Sequence, residues 1–143
     1  MGGMAQADKV YSGTPLPKKL GIQEGARLYM AGAPEGFDDV LGALPTGVRR
    51  LGRSGKAMDV VLLFVTAERD LRSRFSKLAA GLHPAGRLWV AWPKKAAAIP
   101  SDLDFDTVQR IGLDAGLVDN KSASITEAFQ GLQFVFRLKD RPR

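Results

Sequence analysis

Cysteine is absent from these 143 residues, and histidine occurs once. The first absence excludes disulfides, thiolate metal sites and thiol nucleophiles, and sets the expectation of a reducing, cytoplasmic setting. The second leaves His83 alone in the turn "LHPAG". A catalytic imidazole needs an orienting partner, so a structural role is expected for His83 and no catalytic residue is assigned. No apolar run approaches the ~20 residues that span a bilayer. The longest, Val60 to Ala67, has the length of a strand. The N-terminus lacks the charged-then-apolar layout of a signal peptide, so neither export nor a membrane partner is expected.

Acidic residues are also short, 15 against 21 basic ones, which leaves a net charge of +6. The cations are dispersed along the chain, from Lys18-Lys19 through Arg49-Arg50 and Lys94-Lys95 to the closing "RLKDRPR". A solvated basic surface is therefore expected, and a nucleic-acid partner, which would need a clustered stripe, is not. Asp102, Asp104 and Asp106 alternate around a helix start and read as capping residues. An oxygen-ligand loop needs more ligands and its own glycine spacing, so no metal is expected.

What is present describes one globular domain, 45% hydrophobic and 25% charged. Residues 1–13 are polar and Gly-rich and are expected to be flexible. Residues 14–139 form the domain and 140–143 a basic tail. "TPLPKKLGI" reads as a helical turn closed by Gly21, and Arg27–Ala31 as the first strand. Phe37, Val40, Leu41 and Leu44 make a helical stripe that Pro45-Thr46-Gly47 ends. "VRRL" (48–51) is a short edge strand. "VVLLFV" (60–65) is apolar on both faces, the pattern of a central parallel strand. Thr66 is placed to cap the next helix, which buries Leu71, Phe75, Leu78, Ala79 and Leu82. "HPAG" turns the chain into "RLWVAW" (87–92). A helix from Asp104 to Ala115 follows, with Phe105, Val108 and Ile111 inward. Strands at 117–125 and 131–138 close the chain without a helix between them.

This order is similar to the Rossmann-like fold of S-adenosylmethionine-dependent methyltransferases. The segments that carry the likeness are "LAAGLHPAGRLWVAW", "GLDAGLVDNKSASI" and the closing antiparallel strand. The resemblance implies that one strand and one helix are missing between Leu51 and Asp59, where only "GRSGKAM" connects. The fold expected is α/β and three-layered, a truncated methyltransferase-like domain. Its mostly parallel six-stranded sheet should run in the order second, first, third, fourth, sixth, fifth, with the C-terminal strand antiparallel. A closer resemblance is to an uncharacterised bacterial family, the domain of unknown function numbered 3052. "SGTPLPKKLGIQEG", "APEGF", "DVVLLFVT", "LWVAWPKK" and "GLVDNKSASITEAFQGLQFV" look like its pattern, with Phe129 standing where a tryptophan is expected. That family lends a fold and no activity.

Ligands of open parallel sheets bind at the carboxyl ends of the strands. The residues expected there are Pro34, Glu35, Gly36 and Phe37 after the first strand, with Arg53, Thr66, Trp92, Lys94 and Lys95 after the later ones. Pro34 removes an N–H and Glu35 adds a negative charge where a phosphate would sit. No acidic residue ends the second strand to hold a ribose. The expectation is therefore a non-catalytic binding or regulatory domain, without a cofactor, whose basic cleft takes a small anion or a partner protein. The alternatives are a divergent S-adenosylmethionine-dependent methyltransferase and a basic nucleic-acid-associated protein. The two arginines on the short edge strand favour a monomer.

Overall fold

The structure, a computed structural model, describes residues 14–140. The flexible segment expected at 1–13 and the last three residues of the basic tail lie outside the described residues. A helical turn α1 (Leu16–Lys19) leads into strand β1 (Arg27–Ala31), and helix α2 (Phe37–Leu41) follows. Strands β2 (Arg49–Arg50) and β3 (Met58–Phe64) come next, then helix α3 (Glu68–Ala80) and strand β4 (Leu82–Pro93). Helix α4 (Phe105–Asp114) precedes the closing pair β5 (Leu117–Ser124) and β6 (Phe129–Phe136).

The six strands form one sheet in the order β2-β1-β3-β4-β6-β5, as the sequence implies. β1, β2, β3 and β4 are mutually parallel, whereas β6 runs antiparallel to both β4 and β5. The doubly apolar β3 is the reason for this arrangement. Val60 to Val65 are at most 6% exposed, so both faces of the strand need cover. On one face Val61, Leu63 and Leu88 pack against Leu71, Phe75 and Ile111 of α3 and α4. On the other, Val60, Leu62 and Trp89 pack against Leu20, Phe37 and Leu41 of α1 and α2. The Trp89 indole N–H, buried in that second layer, donates to the Leu20 carbonyl at 3.0 Å.

Several local expectations are corrected. α2 stops at Leu41 because Gly42 takes a φ of 78°, and Val40 lies 52% exposed instead of joining the stripe. "HPAG" is not a turn between helix and strand. It lies within β4, where the register shift between Met58 and Val60 absorbs the extra residues. Leu82, expected on the helix, accordingly pairs with Met58. Phe105 sits at the first position of α4 and is 43% exposed, outside the buried stripe of Val108 and Ile111.

Thr66 does not cap α3. The N-cap residue is Ala67, and the Glu68 N–H is taken instead by the Asp102 carboxylate at 2.7 Å, from the loop that follows β4. The link between β2 and β3 contains no helix. It is held by the Arg27 guanidinium, which donates through Nε and Nη2 to the Lys56 carbonyl at 3.3 and 3.2 Å.

Gly112, buried in α4, is packed flat on the Phe134 ring of β6, and a Cβ there would overlap the ring. Alanine gains about 1 kcal/mol of helix propensity over glycine. Overpacking of a filled core costs about 1–3 kcal/mol, so the clash should win. Gly112→Ala is expected to lower the urea midpoint with an unchanged denaturant slope. A stabilised variant would show that Phe134 moves aside freely.

Candidate functional site at the strand carboxyl ends

The carboxyl end of β1 turns through Gly32 to Gly36 into α2. Both glycines are left-handed, with φ of 74° and 82°. Their reasons differ. A Cβ on Gly32 would stand 2.6 Å from the Phe64 carbonyl of neighbouring β3, so close strand packing excludes any side chain. A Cβ on Gly36 would meet nothing within 4 Å, so this position demands glycine through φ alone and its backbone faces open space. Ala33, Glu35 and Gly36 are exposed, Pro34 is half-buried, and Phe37 is buried beneath them. Phe37 meets Phe64 edge-to-face at 5.0 Å, and Phe64 meets Phe129 at 5.2 Å. This aromatic row runs under the carboxyl ends of the strands from α2 to β6.

A second feature opens beyond that row. Two adjoining cavities of roughly 400 and 510 Å³ share Trp92, Lys95, Phe105 and Gln130 as walls. One adds Asp104 and Asp106, and the other adds Lys94, Ser122 and Ser124. Together they make a cleft between the end of β4, the start of α4 and the β5–β6 hairpin. Gln130 donates from its Nε2 to the Pro93 carbonyl at 3.3 Å. The Lys94 ammonium donates to the Ser124 hydroxyl at 2.7 Å, and that hydroxyl donates to the Thr126 carbonyl at 3.2 Å. The Lys94 charge is thus tied to the hairpin.

Of the residues expected at this edge, the fold brings Trp92, Lys94 and Lys95 together in the cleft. Pro34, Glu35, Gly36 and Phe37 form the neighbouring turn. Thr66 serves another purpose, its carbonyl accepting from the Ser101 hydroxyl at 2.7 Å and the Asp102 N–H at 3.3 Å. Arg53 is exposed in the link after β2 and lines neither cavity. The expected basic cleft is also corrected. Two ammonium groups and two carboxylates line it, so it carries no excess of positive charge. Phe105, Gln130 and Ser124 were not visible as site residues. Phe105 follows a cap residue and fits a buried stripe by spacing, and the other two reach the cleft only through strand pairing.

Asp104 is the N-cap of α4 and accepts from the Thr107 N–H at 2.8 Å. That backbone bond and a side-chain bond to Thr107 hold its carboxyl below the ordinary 3.8, with the Lys95 charge assisting against slight desolvation.

No family model matches the chain, and no curated protein sequence does. Solved structures do match. A putative type 11 methyltransferase from Sulfolobus solfataricus is 15% identical, with 90% of this chain and 93% of that chain covered and a TM-score of 0.62. A TehB-like SAM-dependent methyltransferase from Corynebacterium glutamicum is 14% identical over 90% of this chain and 89% of its own, with a TM-score of 0.59. Magnesium protoporphyrin IX methyltransferase from Synechocystis, solved with bound SAM, is 15% identical over 91% and 77%, with a TM-score of 0.59.

At these identities the likeness is one of fold, and the fold is the Rossmann-like one of SAM-dependent methyltransferases. The finding overturns the expectation of a non-catalytic binding or regulatory domain and favours the methyltransferase-like alternative. The negative charge of Glu35 argues against a phosphate at this turn and not against a positively charged ligand.

The low-lying carboxyl of Asp104 predicts a pH dependence. Because its folded value is depressed, its contribution to stability is complete above pH 3.8 and is lost as the pH falls through that lower folded value. Asp104→Asn keeps a capping oxygen but has nothing to titrate. Its urea midpoint should fall less steeply with acid than that of the parent protein. An identical acid limb would reject the assignment.

Proposed function

We propose that this chain is a divergent S-adenosylmethionine-dependent methyltransferase, with the methyl donor at the Gly32–Phe37 turn and the acceptor in the cleft beside it. The observation that carries the proposal is the turn itself. Two left-handed glycines expose backbone at the carboxyl end of β1, within a sheet whose fold resembles that of SAM-dependent methyltransferases.

The turn fits a cationic donor better than a phosphate. Pro34 offers no N–H to an anion, and Glu35 places an exposed carboxylate beside the open backbone of Gly36. No carboxylate follows β2 to take ribose hydroxyls; Asp38, which lies in α2, is engaged with Arg50 at 3.1 Å. The adenosine would therefore be held by backbone and by the strand ends. When bound, S-adenosylmethionine supplies an electrophilic methyl group on a positively charged sulfur. This chain's own part is to orient the acceptor against the exposed Phe105 ring, above the buried Trp92. The free carbonyl oxygen of Gln130 accepts a hydrogen bond there, and Asp104 and Asp106 stand at the mouth.

The same proposal takes residues 14–139 as one domain of a cytoplasmic monomer. The segment likeness to family 3052 suggests a bacterial lineage that keeps this fold with a shortened crossover.

Titration calorimetry and thermal unfolding with S-adenosylmethionine test the reading. A true ligand at about 100 times its Kd adds about 2.7 kcal/mol of stability. Glu35→Lys should weaken binding at least about tenfold, a change of ~1.4 kcal/mol. It should leave the unliganded midpoint unchanged because the side chain is exposed. No thermal response at millimolar ligand, or unaltered binding by Glu35→Lys, would overturn the proposal.

A further inference from the structure

The crossover from β2 to β3 leaves the α3 side of β1 without a helix, and the fold gathers cations around that place. In-register pairing of Arg27 with Arg49 puts both side chains on one face of the sheet, the face of Tyr29. The Arg27 guanidinium wraps onto the Lys56 carbonyl and draws Lys56 alongside. At the end of α3, Gly81 abuts the Gly55 carbonyl of the same link. Lys77 and Arg74 lie four and seven residues before Gly81, on the helix face that looks toward the link.

Arg27, Arg49, Lys56, Arg74 and Lys77 thus border one surface, although they are scattered in sequence. None of them is ion-paired among the described residues, where the ion pairs are Arg50–Asp38 and Arg72–Glu68. Asp59, at the border, is engaged by the Arg27 N–H at 2.9 Å. The apolar floor, Tyr29 and Leu51, is half-buried and packed into the core. The surface therefore offers charge over a half-buried Tyr29 ring, without an apolar groove for a partner helix and without the row of exposed rings on which successive single-stranded bases stack.

We propose that this face binds the sugar–phosphate backbone of a nucleic-acid duplex. Clustered Lys and Arg side chains that neutralise phosphates release counterions, which makes such binding independent of base sequence and dependent on salt. The proposal departs from the expectation of a merely solvated basic surface, which was drawn from the dispersal of cations along the chain.

Fluorescence anisotropy with a labelled DNA duplex of about 20 base pairs, between about 50 and 200 mM salt, tests the proposal. The affinity should fall linearly with salt on logarithmic axes. The triple variant Arg49→Ala, Lys56→Ala, Lys77→Ala should lower that slope by about 2.7, at about 0.9 for each phosphate no longer neutralised. The control triple Arg69→Ala, Arg110→Ala, Lys139→Ala removes the same net charge and should leave the slope unchanged. All six residues are exposed, so both variants should keep the parent thermal midpoint. Equal losses in the two triples would reduce the effect to net charge and overturn the proposal. So would no binding at the lowest salt, or equal affinity for a single strand of the same length.

Discussion

From Val60 through the end of β3 to Val65, no side chain is more than 6% exposed, and a strand without a solvent face must be covered on both sides. Full burial of a large apolar side chain is worth about 1.5–3 kcal/mol, so the six residues together dominate any local preference elsewhere in the chain. This requirement puts α3 and α4 on one face and α1 and α2 on the other. It also decides what can stand at the carboxyl end. Gly32 must be glycine because β1 lies tight against the Phe64 carbonyl, and Phe64 seeds the aromatic row that joins α2 to β6.

The two halves of the candidate site follow from that packing. The Gly32–Gly36 turn is a product of strand proximity on one side and of open space on the other. The cleft exists because β4 runs on to Pro93 while β6 turns back beside it, pairing Trp92 with Gln130 and Pro93 with Phe129. Polar groups there are already engaged with one another, Lys94 with Ser124 and Asp104 with Thr107. With these groups engaged, the cleft presents little unpaired charge, and its walls are set mainly by shape.

The helix-free crossover has consequences on the opposite flank. A parallel connection normally covers the sheet with a helix. Here seven residues, "LGRSGKA" (51–57), span from β2 to β3, and Arg27 secures them through the Lys56 carbonyl. With no helix in this link, Arg49 and Lys56 stand exposed on that flank. The uncovered flank and the candidate site at the strand carboxyl ends are separate surfaces of the same sheet.

Periodicity in the sequence by itself determined the layers, because apolar spacing over five to ten residues fixes which faces must be buried. The lack of a helix between the last two strands marked the closing strand as antiparallel, and the full strand order came with the resemblance to the methyltransferase-like fold. Asp104 was legible as a cap because a cap acts within three residues. Only the tertiary structure decided what long-range pairing controls. Asp102 looks like a local cap yet serves the α3 N–H from 34 residues away, displacing Thr66. "HPAG" has turn chemistry, but a register shift against β3 draws it into a strand. Phe105 has the spacing of a core residue and lies at a cleft mouth. Charges are the least legible of all. Coulomb attraction acts through space and carries no periodicity along the chain, so whether a lysine is solvated, tied to a hairpin or gathered on a flank depends on which strands become neighbours.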